Sequence, residues 1–178
     1  MKIRHNLYFV ALALFMLCAL LTFAQPLHAQ SCRNDIPPTT PTQDFTLRDD
    51  GTVTHHKTGL MWMRCALGQN WNGATCTGSA QTYTWQSALQ AAEGFSFAGH
   101  NDWRLPDIKE LNSIVEQACI SPAINAMVFP AAPSTIFWSA SPYAGRVSAA
   151  WFVSFHAGLD SINFRTNGHL VRLVRGGQ

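Results

Sequence analysis

The chain has 178 residues, with 12 Lys and Arg against 10 Asp and Glu and a formal net charge of +2. Lys2 and Arg4 supply that excess, so the rest of the chain is charge-balanced, which argues against wholesale binding of nucleic acid or an anionic membrane. The length suits one domain with a substantial core, and six tryptophans make that core aromatic-rich.

The first residues read as an export signal. Lys2 and Arg4 are followed by the uncharged apolar run Leu7 to Phe23 and by the exit Pro26-Leu27-His28-Ala29. That order predicts a secretory signal cleaved after Ala29; the alternative is a retained anchor, although the run is barely long enough to span a bilayer. Residues before Cys18 are too large for a lipoprotein site. The expected location is the periplasm, the cell surface or the medium, with no stable membrane insertion after cleavage.

Residues 30–43 are Pro- and Thr-rich and read as an extended arm, and 44–178 as the domain. Phe45 to Trp62 predicts strands, with Asp49-Asp50-Gly51-Thr52 and Lys57-Thr58-Gly59 as turns. Cys65 to Thr82 reads as a polar loop. Thr84 then caps a helix whose Trp85, Ala88, Leu89 and Ala92 share a face, and Gly94 ends it. Asp107 and Glu110 have capping-box spacing and open a second helix, with Ile108, Leu111, Ile114, Val115 and Ala118 as its buried stripe and Pro122 beyond its end.

From Ile136 onward the pattern returns to strands. Trp151, Val153 and Phe155 alternate with Phe152, Ser154 and His156, followed by Ile162 and Phe164. Asn167-Gly168 reads as a hairpin turn before a closing strand, Leu170 to Arg175. Strands, two helices, then strands, without βαβ alternation, predict an α+β fold with antiparallel sheets.

Four cysteines follow the signal: Cys32, Cys65, Cys76 and Cys119. In an exported chain they predict two disulfides with three possible connectivities. Cys65–Cys76, closing the polar loop, and Cys32–Cys119, pinning the arm, are favoured. No CxxC or HxxxH spacing supports zinc, and no cofactor is expected.

Several ordered segments carry a resemblance: Gly51-Thr52-Val53, Thr58-Gly59-Leu60-Met61-Trp62, Asp102-Trp103-Arg104-Leu105-Pro106, Glu110-Leu111, Phe137-Trp138-Ser139-Ala140-Ser141, Ala150-Trp151 and Val171-Arg172-Leu173-Val174-Arg175-Gly176-Gly177. Over residues 44–177 the chain resembles the C-terminal domain family named after the Legionella collagen-like adhesin. That resemblance implies a C-type-lectin-like fold, in which two helices flank small antiparallel sheets and the first and last strands lie together. It also implies a trimeric surface domain that binds sulfated glycosaminoglycans. The sequence departs from the namesake in containing no collagen-like repeat and no overall basic excess, and His55 stands where many members carry an acid. The fold is similar also to the formylglycine-generating enzymes, whose chemistry needs C-terminal thiols; no cysteine follows Cys119, so no enzyme activity is expected.

The candidate ligand residues follow from charge. From Trp138 onward Arg146, Arg165, Arg172 and Arg175 face one acid, Asp160, and guanidinium groups pair bidentately with sulfate, phosphate or carboxylate. Arg172, between Val171 and Leu173, reads instead as buried and salt-bridged to Asp102 or Glu110. Arg146, Arg165 and Arg175 remain as anion-facing candidates, with Trp71 and Asn72 on a neighbouring loop. Trp103, Trp138 and Trp151 read as core. His55 and His56 point to opposite faces of a strand, and no nucleophile elbow, paired carboxylates or calcium loop is present. The expected function is non-catalytic recognition of a glycan, sulfated polysaccharide included, or of a surface protein. A protein-interaction module of the envelope or a variable surface receptor is the alternative, a formylglycine-generating-enzyme-like oxidase the less favoured one, and a homo-oligomer is compatible with the binding readings.

Overall fold

A computed structural model describes residues 29–176; the predicted signal segment, apart from Ala29, lies outside the described residues. Eleven strands and two α-helices follow in chain order among them. They are β1 (Ser31–Cys32), β2 (Phe45–Leu47), β3 (Thr52–His55), β4 (Met61–Met63), β5 (Asn70–Trp71), β6 (Cys76–Thr77), α1 (Trp85–Ala92), α2 (Ile108–Asn112), β7 (Cys119–Ile120), β8 (Ile136–Pro142), β9 (Ala149–Ser154), β10 (Leu159–Phe164) and β11 (Val174–Arg175). The fold is α+β, built from small antiparallel sheets in the orders β11-β4-β3-β2, β10-β9-β8, β1-β7 and β5-β6.

The turns that set the first sheet use the expected residues. Asp50 Oδ1 accepts from the Thr52 N–H at 2.9 Å and the Thr52 hydroxyl at 2.7 Å, while Gly51 takes a φ of 84°, open to glycine at little cost. β8 and β9 read as nearly continuous apolar runs because both faces of their sheet are buried. Phe137 and Val153 join one core cluster with Trp62, Leu111, Ile114 and Val174. Trp138 and Phe152 face the other way, into a second cluster with Ala88, Ala92, Trp103 and Leu173. Thus α1 and α2 pack on opposite faces of the interior, and each fully buried large side chain contributes roughly 1.5–3 kcal/mol.

Both disulfides have the favoured pairing: Cys65 with Cys76, and Cys32 with Cys119. The arm is held at a second point as well. The buried Glu116 carboxylate accepts from the N–H groups of Thr39 at 3.0 Å, Thr40 at 2.9 Å and Ala118 at 3.0 Å, and from the Thr40 hydroxyl at 3.0 Å. Burial alone would raise its pKa, but these hydrogen bonds bring it below the ordinary carboxylate range.

Thr84 caps α1 by accepting from the Ser87 N–H, and Gly94 follows its end with a φ of 69°. The Asp107–Glu110 capping box opens α2 with both of its reciprocal bonds present. That helix, however, stops at Asn112, short of the predicted stripe through Ala118. The Ser113 hydroxyl bonds the Glu110 carbonyl at 2.6 Å, and the Glu116 N–H turns away to the Ala123 carbonyl. Ile114, Val115 and Ala118 are buried, but from a bridged turn rather than a helix face.

Three further expectations need correction. Asn167-Gly168 does not join two paired strands: the β9–β10 hairpin turns at Gly158, with a φ of 72°, while His169 leaves to pair with Tyr83. Leu170 to Arg175 is not one strand, because its bonds are shared among Ile136, Trp138, Leu67, Met63 and Arg104, leaving Val174–Arg175 as β11. Finally, β11 does not lie beside the first strand. The β2–β3–β4 meander presents β4 as its inner edge, and β11 takes that edge.

Candidate ligand-binding surface

Two signature segments first have to be assigned to structure or to ligand. The Arg104 N–H donates to the Val174 carbonyl at 2.9 Å and the Val174 N–H to the Arg104 carbonyl at 3.0 Å. The Arg104 guanidinium donates to both Glu110 oxygens, at 2.7 and 2.6 Å, and to the Gly176 carbonyl at 2.8 Å. These bonds bring the Glu110 pKa down and push the Arg104 pKa up. Arg104 and the segment Val174 to Gly176 therefore meet as one structural joint.

Arg172 is buried as expected, but without the predicted salt bridge. Its Nη1 donates to the carbonyls of Met63, at 2.9 Å, and Arg64, and its guanidinium carbon lies 4.7 Å from the Phe129 ring centroid. Asp102 and Glu110 are already engaged by Arg175 and Arg104. Burial pushes the Arg172 pKa down to about 9. Arg175 donates from Nε to Asp102 Oδ1 at 2.7 Å and contacts the Met61 sulfur, so its charge has a carboxylate partner.

The two proposed loop residues are both engaged within the fold: Trp71 docks the loop on the Asp49–Gly51 turn, and Asn72 holds the loop itself. Trp71 Nε1 donates to the Asp49 carbonyl at 2.8 Å, Arg64 lies 4.3 Å from its ring centroid, and a Cβ on Gly51 would come within 2.7 Å of its Cγ. Asn72 Oδ1 accepts from the N–H groups of Ala74 and Thr75 at 3.0 and 2.9 Å. Neither residue is joined to Arg146, Arg165 or Arg175 by a hydrogen bond or ring contact. Trp103 and Trp138 are core, with their indole N–H groups on the Phe97 and Tyr83 carbonyls; Trp151 is half-buried. His55 is buried against the Phe45 ring, which lowers its pKa through desolvation, whereas His56 is exposed on the other side.

Arg146 and Arg165 are different, and the fold brings them to one end of the β8–β9–β10 sheet. Arg146 sits in the exposed turn between β8 and β9, where its carbonyl accepts from the Ala149 N–H and its N–H donates to the Tyr143 carbonyl. Its guanidinium carbon lies 5.5 Å from the Phe164 ring centroid. Arg165 follows β10, its N–H on the Ser148 carbonyl at 2.8 Å and its Nε on the Ala149 carbonyl at 3.1 Å. The guanidinium stacks 4.1 Å from the Trp85 ring centroid. The Trp85 N–H donates to the Arg165 carbonyl at 2.9 Å, and Trp85 Nε1 to the Ser139 carbonyl at 2.8 Å. A depression of about 630 Å³ opens here, lined by Thr84, Trp85, Gln86, Arg165 and Thr166.

Among the described residues, neither arginine has a carboxylate within 4.0 Å, whereas Arg33, Lys57, Arg104 and Arg175 each do. Both η-nitrogens of Arg165 and the whole Arg146 fork are without hydrogen-bond partners among those residues. Two aromatic-backed guanidinium groups, that of Arg165 also held through its Nε and both open at their tips, can take an anion bidentately. Trp85 and Phe164 were not anticipated. Phe164 adjoins Arg165 in an exposed strand and could have been found by that adjacency; Trp85 fitted a helix stripe and gave no such signal.

The Lcl C-terminal domain family matches residues 51–175, most of the chain. This chain belongs to that family. A search of the curated proteins finds no match. The matched span begins at Gly51 and ends at Arg175, so the arm, its Cys32 and β2 lie before it, while Arg104-Leu105-Pro106, β11 and the Arg146–Arg165 end lie within it. Membership makes this an adhesin-related domain, and among the described residues no helix is long and apolar enough to cross a membrane.

Proposed function

We propose that this chain is an exported, non-catalytic recognition domain that binds an anionic glycan, a sulfated polysaccharide being the best-fitting class, at the bacterial surface. The observation that carries the reading is the pair Arg146 and Arg165, the first over Phe164 and the second over Trp85, both free of carboxylate partners among the described residues. Adhesin-related family membership and two disulfides support it. The helices packed on opposite faces of a sheet-built interior support a C-type-lectin-like architecture for the display of such a surface.

The contacts made by Arg175, Trp71 and Asn72 narrow the binding set to Arg146 and Arg165, with Trp85, Thr84 and Thr166 around the depression. Retention of the oxidised protein on heparin, compared with uncharged glycans at low and high salt, tests the ligand class. Selective retention weakened by salt is expected, since exposed charges are screened. Equal retention on neutral glycans, or none on heparin, would remove it.

A further inference from the structure

We infer that Asn167 is a modification site: its side-chain amide is lost by closure onto the Gly168 nitrogen, and the isoaspartate that results loosens the depression beside Arg165. The sequence contains two Asn-Gly pairs, Asn72-Gly73 and Asn167-Gly168. Glycine has no Cβ, so in each pair the following backbone nitrogen is unhindered.

The fold separates the two pairs. Asn72 Oδ1 accepts from the N–H groups of Ala74 and Thr75 at 3.0 and 2.9 Å, and ring closure there has to break both bonds of a side-chain turn. Asn167 is exposed, and its side chain makes a single bond, from Nδ2 to Asn163 Oδ1 at 2.7 Å. Gly168 is exposed as well, and its N–H has no partner among the described residues. The hairpin-like dipeptide that joins no hairpin is thus left with a free nucleophile next to a lightly held amide.

The step balances without an oxidant or a reductant. The Gly168 nitrogen attacks Asn167 Cγ and a C–N bond forms. The Cγ–Nδ2 bond breaks, and Nδ2 leaves as ammonia with the proton from the Gly168 nitrogen. Water then opens the cyclic imide at either carbonyl. Opening at the side-chain carbonyl gives aspartate. Opening at the main-chain carbonyl gives isoaspartate, whose backbone runs through Cβ and Cγ and is one atom longer.

That extra atom falls in a segment fixed at both ends. The Trp85 N–H donates to the Arg165 carbonyl at 2.9 Å, and His169 and Tyr83 exchange both of their backbone bonds, at 2.9 and 2.8 Å. Asn167 lies midway between these two ties. A longer main chain between them has to release one, and the ties set Thr84, Trp85, Arg165 and Thr166 around the depression. The new carboxylate also stands two residues from Arg165, where it competes with an anion for the guanidinium. The consequence for binding rests on the anion-recognition reading above; the modification does not.

The oxidised protein held for days in mildly alkaline buffer, then divided between peptide mapping by mass spectrometry and heparin chromatography, tests both parts. Isoaspartate and aspartate are expected at position 167 well before any conversion at Asn72, and the converted fraction should elute at lower salt. Asn167→Asp, which adds the charge without the extra backbone atom, should lower heparin affinity about threefold, less than isoaspartate does. Gly168→Ala, whose Cβ would lie 3.4 Å from Thr82, should bind as fresh wild type does and keep its retention through ageing. An intact Asn167, prior conversion at Asn72, or a converted fraction retained as strongly as fresh protein would overturn the inference. Fresh protein that ignores heparin would instead remove the ligand class, and the peptide map would still decide the modification.

Discussion

Arg104 holds Glu110 through both carboxylate oxygens, at 2.7 and 2.6 Å, and the same Glu110 also accepts from the Asp107 N–H at 2.8 Å. One carboxylate therefore ties the start of α2 to the segment that pairs with β11. Arg104→Ala would leave a half-buried carboxylate without its cation and free the Gly176 carbonyl. A loss of about 2 kcal/mol is expected in chemical denaturation, with no change in glycan retention. A variant as stable as wild type would show that the joint contributes nothing.

The two disulfides differ in the length of chain they close, with separations of 87 and 11 residues. Loop-closure entropy gives about 4.6 kcal/mol for Cys32–Cys119 and about 2.8 kcal/mol for Cys65–Cys76. Paired Cys→Ser variants should therefore rank in that order by urea midpoint. The reverse order would mean that β1–β7 pairing and the Glu116 hub hold the arm without the bond.

Acid should destabilise the fold. The carboxyls of Glu110, beside Arg104, and Glu116, under the Thr39, Thr40 and Ala118 N–H groups, both titrate below their ordinary range in the folded chain. The unfolded chain thus binds more protons as pH falls through that range. The stabilisation is complete above it and is lost as pH drops through the folded values. Melting temperature against pH should fall on the acid side, and Glu116→Gln should show a shallower slope with a lower plateau near neutrality. Identical slopes would remove Glu116 from the account.

Gly51 bears on Trp71. With φ at 84° and the indole where a Cβ would sit, Gly51→Ala should cost about 1–3 kcal/mol and shift tryptophan fluorescence. Because Trp71 packs on the Asp49–Gly51 turn and under Arg64, glycan affinity should not change. Lost affinity at preserved stability would return Trp71 to the binding surface.

Local chemistry was legible in the sequence: the Asp50-Gly51 turn, the Thr84 cap, the Asp107–Glu110 box and the favoured cysteine pairing are all present. Long-range competition was not. Asn167-Gly168 has hairpin composition, yet the chain beyond it pairs with Tyr83, and the second helix ends because Glu116 is drawn to the arm and to Ala123. The buried state of Arg172 followed from its apolar neighbours, but its carbonyl partners on Met63 and Arg64 lie more than 100 residues away. The site divided in the same way. Arg146 and Arg165 were visible as charges, while Trp85, about 80 residues distant in sequence, entered only through the fold.

The most direct test of the central claim is equilibrium titration of a heparin oligosaccharide into wild type, Arg165→Ala and Arg146→Ala/Arg165→Ala, each checked for an unchanged melting temperature. Arg165→Ala leaves Arg146 over Phe164 in place, so the single variant reads the Trp85-backed guanidinium alone. About a tenfold loss is expected for the single variant, with a further loss for the double, each a charged hydrogen-bonded contact worth roughly 1.5–3 kcal/mol. Undiminished affinity in the folded double variant would contradict the assignment of anion recognition to this end of the sheet.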